Sequence, residues 1–219
     1  MKRIFGCLVI ALCWAVKTEA ALITIDSSLS ANITSNGVYN SNSSSRLVHY
    51  VSPSINTLDG YMKFDLSLIP DDSVINSIVL RTFAEGSFNA PFNSPLGQIF
   101  YVSNDDWGRA NNAALPSSIG GAVSPEYSSF PTVAGTSFDW AIDPSQFSYE
   151  NELADNVLSL VMRNLNNQYS FMYWLSSDIQ APQLIVDYSD SATGYSVPEP
   201  STLVLFGFFL LTLRKLRRT

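Results

Sequence analysis

Carboxylates are the reactive side chains that this 219-residue chain carries in quantity, and two adjacent pairs stand out: Asp71-Asp72 and Asp105-Asp106. Paired acids can split glycosidic bonds, one as the acid and one as base or nucleophile. Carboxylates in turns also collect calcium. Neighbours on a strand point to opposite faces, however, so each pair reads first as a polar turn and only second as a catalytic or calcium-binding set. Other chemistry has less to build on. The one histidine, His49, sits in a strand-like stretch between Val48 and Tyr50 and reads as structural rather than as a general base. With no second histidine there is no zinc set, no serine stands in a G-x-S-x-G elbow, and the glycines form no phosphate-cradling loop. No catalytic residue is expected, and no cofactor beyond a calcium ion left open by the carboxylates.

Aromatic rings are the better lead for binding. Trp107 follows Asp105-Asp106, and the stretch YSFMYWL places Tyr169, Phe171 and Tyr173 on one face of a strand with Trp174 on the other. A flat ring can stack on a sugar, but the same rings also fill a sandwich core. Core is the first reading for each; Trp107, Tyr173 and Trp174 are the candidate sugar contacts under the second.

The elements that must position these residues are short strands. Nine segments rich in β-branched and aromatic residues follow one another: 22–25, 46–51, 60–66, 76–83, 97–102, 136–142, 156–162, 169–175 and 183–188. In NSIVLRTF, Ile78, Leu80 and Thr82 share one face and Val79, Arg81 and Phe83 the other. Asn, Ser, Gly and Pro clusters fill the gaps. Only 143–156 carries helix-start signals, Asp143 as cap and Pro144 behind it, enough for one or two turns. The pattern predicts an all-β, jelly-roll-like antiparallel β-sandwich over 21–188, followed by a small polar linker, 189–196. Between Ala21 and Val197 stand five basic and seventeen acidic residues, a net charge of −12. A body so acidic has no electrostatic grip on nucleic acid or on an anionic membrane.

Both ends are different. Lys2 and Arg3, an apolar run from Ile4 to Val16 and Thr18-Glu19-Ala20 have the layout of a secretory signal peptide over 1–20. Cleavage there would remove Cys7 and Cys13 and leave a body with no disulfide. The tail, 197–219, holds Pro198-Glu199-Pro200, then the apolar residues Leu203, Val204, Leu205, Phe206, Gly207, Phe208, Phe209, Leu210, Leu211, Thr212 and Leu213, then Arg214, Lys215, Arg217 and Arg218. As a helix the apolar run would reach about 16 Å, against a bilayer core of about 30 Å. That makes a poor permanent anchor but a workable temporary one, with the basic end kept on the cytoplasmic side.

Two resemblances bear on these residues. Phe64-Asp65-Leu66-Ser67, Ile69-Pro70, Leu80-Arg81, the segment SNDDWGRA, FDWAID, and Pro182, Leu184, Val186 and Tyr188 near the end resemble the DNRLRE-type β-sandwich domain, related to carbohydrate-binding module family 96. That resemblance implies a sandwich, with polysaccharide binding in some members, and carries over no ligand residue. The tail resembles the PEP-CTERM sorting signal of Gram-negative bacteria, although its helix has three Phe and a single Gly207 where the family often has more Gly and Ala. The resemblance implies an exosortase and the general secretion machinery as partners. It also implies export across the inner membrane, brief anchoring, and release to the cell surface or matrix. The expectation is a non-catalytic surface or matrix protein in an exopolysaccharide-rich envelope. A dedicated carbohydrate-binding module is the alternative, and a carboxylate-based polysaccharide-degrading enzyme a third.

Overall fold

Alternation of apolar and polar residues makes antiparallel strands of most of the described residues. The computed structural model describes residues 20–34, 46–52, 55–85, 96–108, 119–165, 170–175 and 180–190. The signal peptide up to residue 19, most of the linker, the sorting motif, the apolar run and the basic end lie outside the described residues. In chain order the strands are β1 (Ala20–Thr34), β2 (Arg46–Ser52), β3 (Ile55–Asp65), β4 (Val74–Phe83), β5 (Gly97–Val102), β6 (Ile119–Ala122), β7 (Ser137–Ile142), β8 (Val157–Asn164), β9 (Ser170–Leu175) and β10 (Gln183–Ser189). A 3₁₀ turn, Pro144–Gln146, and the helix α1, Tyr149–Asp155, stand between β7 and β8. All nine expected strands are present, and every ladder is antiparallel. The fold is all-β.

Sheet order runs β6-β5-β8-β3-β1-β10-β4-β7, with β2 joined to β3 and to β9. β1 links the two halves. Its first part, Ala20 to Asp26, pairs with β10, and the part from Ser27 to Thr34 pairs with β3. The register shifts between Ser27 and Leu29. Such a bulge bends a strand and changes which residues face inward: Ile25 and Ser27 are buried before it, Ser30 and Asn32 after it.

One large core gathers side chains from both halves: Ile25 of β1, Ile78 and Leu80 of β4, Trp140 and Ile142 of β7, Leu184 and Val186 of β10, with Met62, Phe64, Ile99, Leu158, Leu160 and Met162 from the other side. Ile78, Leu80 and Thr82 are buried on one face of β4, as their alternation requires. Trp140 Nε1 donates to Thr82 Oγ1 at 2.9 Å, so neither buried polar group is left unpaired. On the outer side, Arg81 and Asp139 are register partners and join in two hydrogen bonds of 2.7 and 2.8 Å. Their side chains are 36% and 47% exposed, so Arg81→Ala is expected to cost less than about 1 kcal/mol in chemical denaturation.

A second, smaller cluster packs Ile33, Tyr61, Val102, Trp107 and Val161 together. Val161 and Ser159 alternate along β8 with Leu158, Leu160 and Met162 of the large core, so this strand is buried on both faces. The turn after β5 supplies Trp107 to that second cluster.

Candidate functional site

Three strands set out a row. Lys63 of β3 is the register partner of Ser159 of β8, which is the partner of Val102 of β5. Beyond Val102 the chain turns: Asn104 Oδ1 accepts from the Asp106 amide at 2.8 Å, and this Asx turn puts Asp105 and Trp107 back over the row. Lys63 Nζ donates to the carbonyls of both Asp105 and Trp107, the latter at 3.0 Å, and stands 4.8 Å above the Trp107 ring. Trp107 Nε1 donates to Ser159 Oγ at 3.0 Å, and the Ser159 hydroxyl acts on the nearby Asp105 carboxyl. Burial raises the Asp105 pKa, a shift that the Ser159 hydroxyl partly offsets; burial likewise lowers that of Lys63, against the pull of Asp105 and Asp106.

The other wall is α1. Its approach is built as the residues require: Asp143 Oδ1 caps the 3₁₀ turn by accepting from the Ser145 amide at 3.0 Å, with Pro144 next in the chain. α1 ends at Asn156, whose φ of +65° is the left-handed cap that turns the chain into β8. On this helix Glu152 and Asp155 are three residues apart and share a face. Glu152 is 4% exposed. Its Oε1 accepts from the Tyr101 hydroxyl at 2.5 Å. Tyr101 is itself fixed, stacked on Phe147 with ring centroids 5.2 Å apart and lying against Gly120, where a Cβ would come within 3.0 Å of its ring. Burial, foremost, and then the charges of Asp105 and Asp155 push the Glu152 pKa up to about 7, despite the Tyr101 hydrogen bond that lowers it. Burial and then Glu152 push the Tyr101 phenol up as well.

One carboxylate oxygen from each of Asp105, Glu152 and Asp155 lies within 4.8 Å of the others. Asp105 Oδ1 and Glu152 Oε2 are both buried and without a hydrogen-bond partner. The structure thus assembles an acidic cluster whose members come from two distant parts of the chain.

Of the residues expected from sequence, Asp105 alone enters this cluster, so it is more than a solvated turn residue. Asp106 is exposed, and Asp71 and Asp72 are exposed in the turn between β3 and β4, the plain polar-turn reading. Trp107 requires a correction as a sugar contact. It is 2% exposed, tilted against Tyr61 at 5.6 Å and hydrogen-bonded to a buried serine. Neither ring face is available to a ligand, and its role is in the core. His49, Tyr173 and Trp174 lie on the paired strands β2 and β9, where Val48 stands opposite Tyr173 and Leu47 opposite Trp174; their side chains lie outside the described part. Glu152 and Asp155 were not anticipated, and the one available signal was their i, i+3 spacing just after helix-start residues.

No family model and no curated protein matches this chain. Geometry and sequence are therefore what its function is argued from. A glycosidase acid must reach the leaving-group oxygen of a polymer, whereas Glu152 is 4% exposed. Its high pKa comes from burial, in a position that a polysaccharide does not reach. Among the described residues no helix is long and apolar enough to cross a membrane.

Proposed function

We propose that this is an exported surface or extracellular-matrix protein whose body is a non-catalytic, jelly-roll-like β-sandwich and whose tail is a sorting signal. The observation that carries the reading is the order of features in the tail: Pro198-Glu199-Pro200, then eleven residues from Leu203 to Leu213, then four basic residues, opposite an N-terminus laid out as a signal peptide. Two prolines keep the motif extended and free of helical hydrogen bonds, which suits an enzyme that must grip backbone. The short apolar run holds the chain while the basic end stays behind. An exosortase of a Gram-negative inner membrane is the partner this implies, with release into an exopolysaccharide-rich envelope afterwards.

The test is the intact mass of the protein recovered from its host beside a Glu199→Ala variant. The expected wild-type mass lacks the first twenty residues and the segment after Pro198-Glu199-Pro200, while the variant keeps its tail. An uncut tail in both would make the protein a membrane-tethered domain instead. If the body is a polysaccharide-binding module, the burial of Trp107 moves the search to Tyr173 and Trp174. Saturable glycan binding lost in Trp174→Ala or Tyr173→Ala would favour that alternative.

A further inference from the structure

We propose that Asp105, Glu152 and Asp155 form a calcium site that ties α1 to the turn after β5. Three independent features converge there. The first is spacing. A calcium ion binds oxygen at roughly 2.4 Å, so two ligand oxygens on one ion stand no more than about 4.8 Å apart; the three carboxylate oxygens meet that limit, within 4.8 Å of one another. The second is incomplete satisfaction. Glu152 is 4% exposed, yet its Oε2 has no hydrogen-bond partner, and neither has the buried Asp105 Oδ1. Buried carboxylate oxygens without a partner are costly and therefore uncommon. The third is the fixed position of the ligands. Tyr101 holds the other oxygen of Glu152 at 2.5 Å, Lys63 and the Asx turn fix the backbone of Asp105, and the Asp155 carboxyl accepts from the Val157 amide at 3.1 Å.

The chemistry of the donors selects the ion. All three are hard carboxylate oxygens, with no imidazole or thiolate among them, which argues against zinc. Magnesium demands a strict octahedron at about 2.1 Å and dehydrates reluctantly, so it usually takes one or two protein carboxylates and keeps several waters rather than filling a site of three. Calcium accepts six to eight oxygens in loose geometry, waters among them, and Asp155 is exposed to solvent. Lys63, the cation whose charge acts on Asp105, gives its hydrogen bonds to the carbonyls of Asp105 and Trp107. It stabilises the turn and leaves the carboxylate oxygens of the cluster to another cation.

The experiment uses the full chain in mild detergent, stripped with a chelator. Adding about 5 mM calcium is expected to raise the melting temperature by about 5–9 °C, for a site of about 0.1 mM affinity in a domain of this size. Magnesium at the same concentration is expected to do less than half of that. Asp155→Asn is the informative variant, because Asp155 is exposed and Asn retains an oxygen for the Val157 amide. It should melt within about 1 °C of the metal-free wild type and lose at least three-quarters of the calcium shift. Terbium provides a second readout, since Tyr101, hydrogen-bonded to Glu152, and Trp107, two residues from Asp105, would sensitise its luminescence. That signal should be displaced by calcium and fall at least fivefold in Asp155→Asn. A wild-type melting temperature unmoved by calcium overturns the proposal, as does a calcium shift or a terbium signal that persists in the variant.

Discussion

Trp107→Ala is expected to lower stability by about 3–5 kcal/mol, the usual cost of deleting a buried tryptophan, and the melting temperature by about 10 °C. The residue is 2% exposed and central to the second core cluster, so its removal opens a cavity between Tyr61, Val102 and Val161. Two further losses follow. Ser159 Oγ, fully buried, loses the indole donor at 3.0 Å, and Lys63 loses the ring beneath its ammonium. Trp107→Phe separates these effects: it retains most of the packing and forfeits the N–H bond, at an expected cost of about 1–2 kcal/mol. Chemical denaturation of the three proteins measures all of this. A sugar platform would behave in the opposite way, with unchanged stability and lost binding, and that outcome would return Trp107 to the surface.

Glu152→Gln is expected to stabilise the metal-free protein at pH 8 and to do almost nothing at pH 4.5. The sign follows from the direction of the shift. Burial raises the folded-state pKa of Glu152 from 4.5 to about 7. Between those values the folded protein holds a proton that the unfolded chain has released. Stability therefore falls as pH rises through this window and levels off above it. The full shift corresponds to about 3 kcal/mol at most. The substituted amide carries no charge, still accepts from the Tyr101 hydroxyl, and has an N–H to offer beside Asp105 Oδ1. Asp59 and Asp105 are also raised, by burial foremost, and titrate with the same sign, so some slope remains in the variant. Asp65, Asp139 and Asp143 are lowered by hydrogen bonds from their usual 3.8 and act below the window. Thermal melts in chelator across pH 4.5 to 8 are the check. A variant profile parallel to the wild type would mean that Glu152 titrates as an ordinary surface acid.

Strand positions were largely legible, because each strand carries its own alternation. NSIVLRTF announces its buried face directly, and Ile78, Leu80 and Thr82 occupy it. β6 is not legible because its four residues, IGGA, include two glycines, of which Gly120 answers to the Tyr101 ring rather than to strand propensity. β1 looked four residues long and spans fifteen. From Ser27 on its sequence, SSLSANIT, is largely polar, and its burial depends on β3 lying alongside. The acidic cluster was hidden for a different reason. Asp105 and Glu152 meet only through tertiary folding across 47 positions of chain, and a seven-residue helix is too short for its sequence to show a helical period. Trp107 shows the limit most plainly: it is 2% exposed, yet nothing local in the sequence distinguishes a ring that covers a core from one that faces solvent.

β10 stands between β1 and β4, hydrogen-bonded to both, although it is the final strand of the body. For a chain that emerges N-terminus first, the ladder β1-β10-β4-β7 cannot close until residues 183–189 have appeared. Until then the first half of β1 and one edge of β4 expose unpaired amides and carbonyls. Completion of this ladder is therefore deferred until synthesis is nearly over, and the half-made sheet carries open edges in the meantime. The keystone of this domain is the last piece delivered.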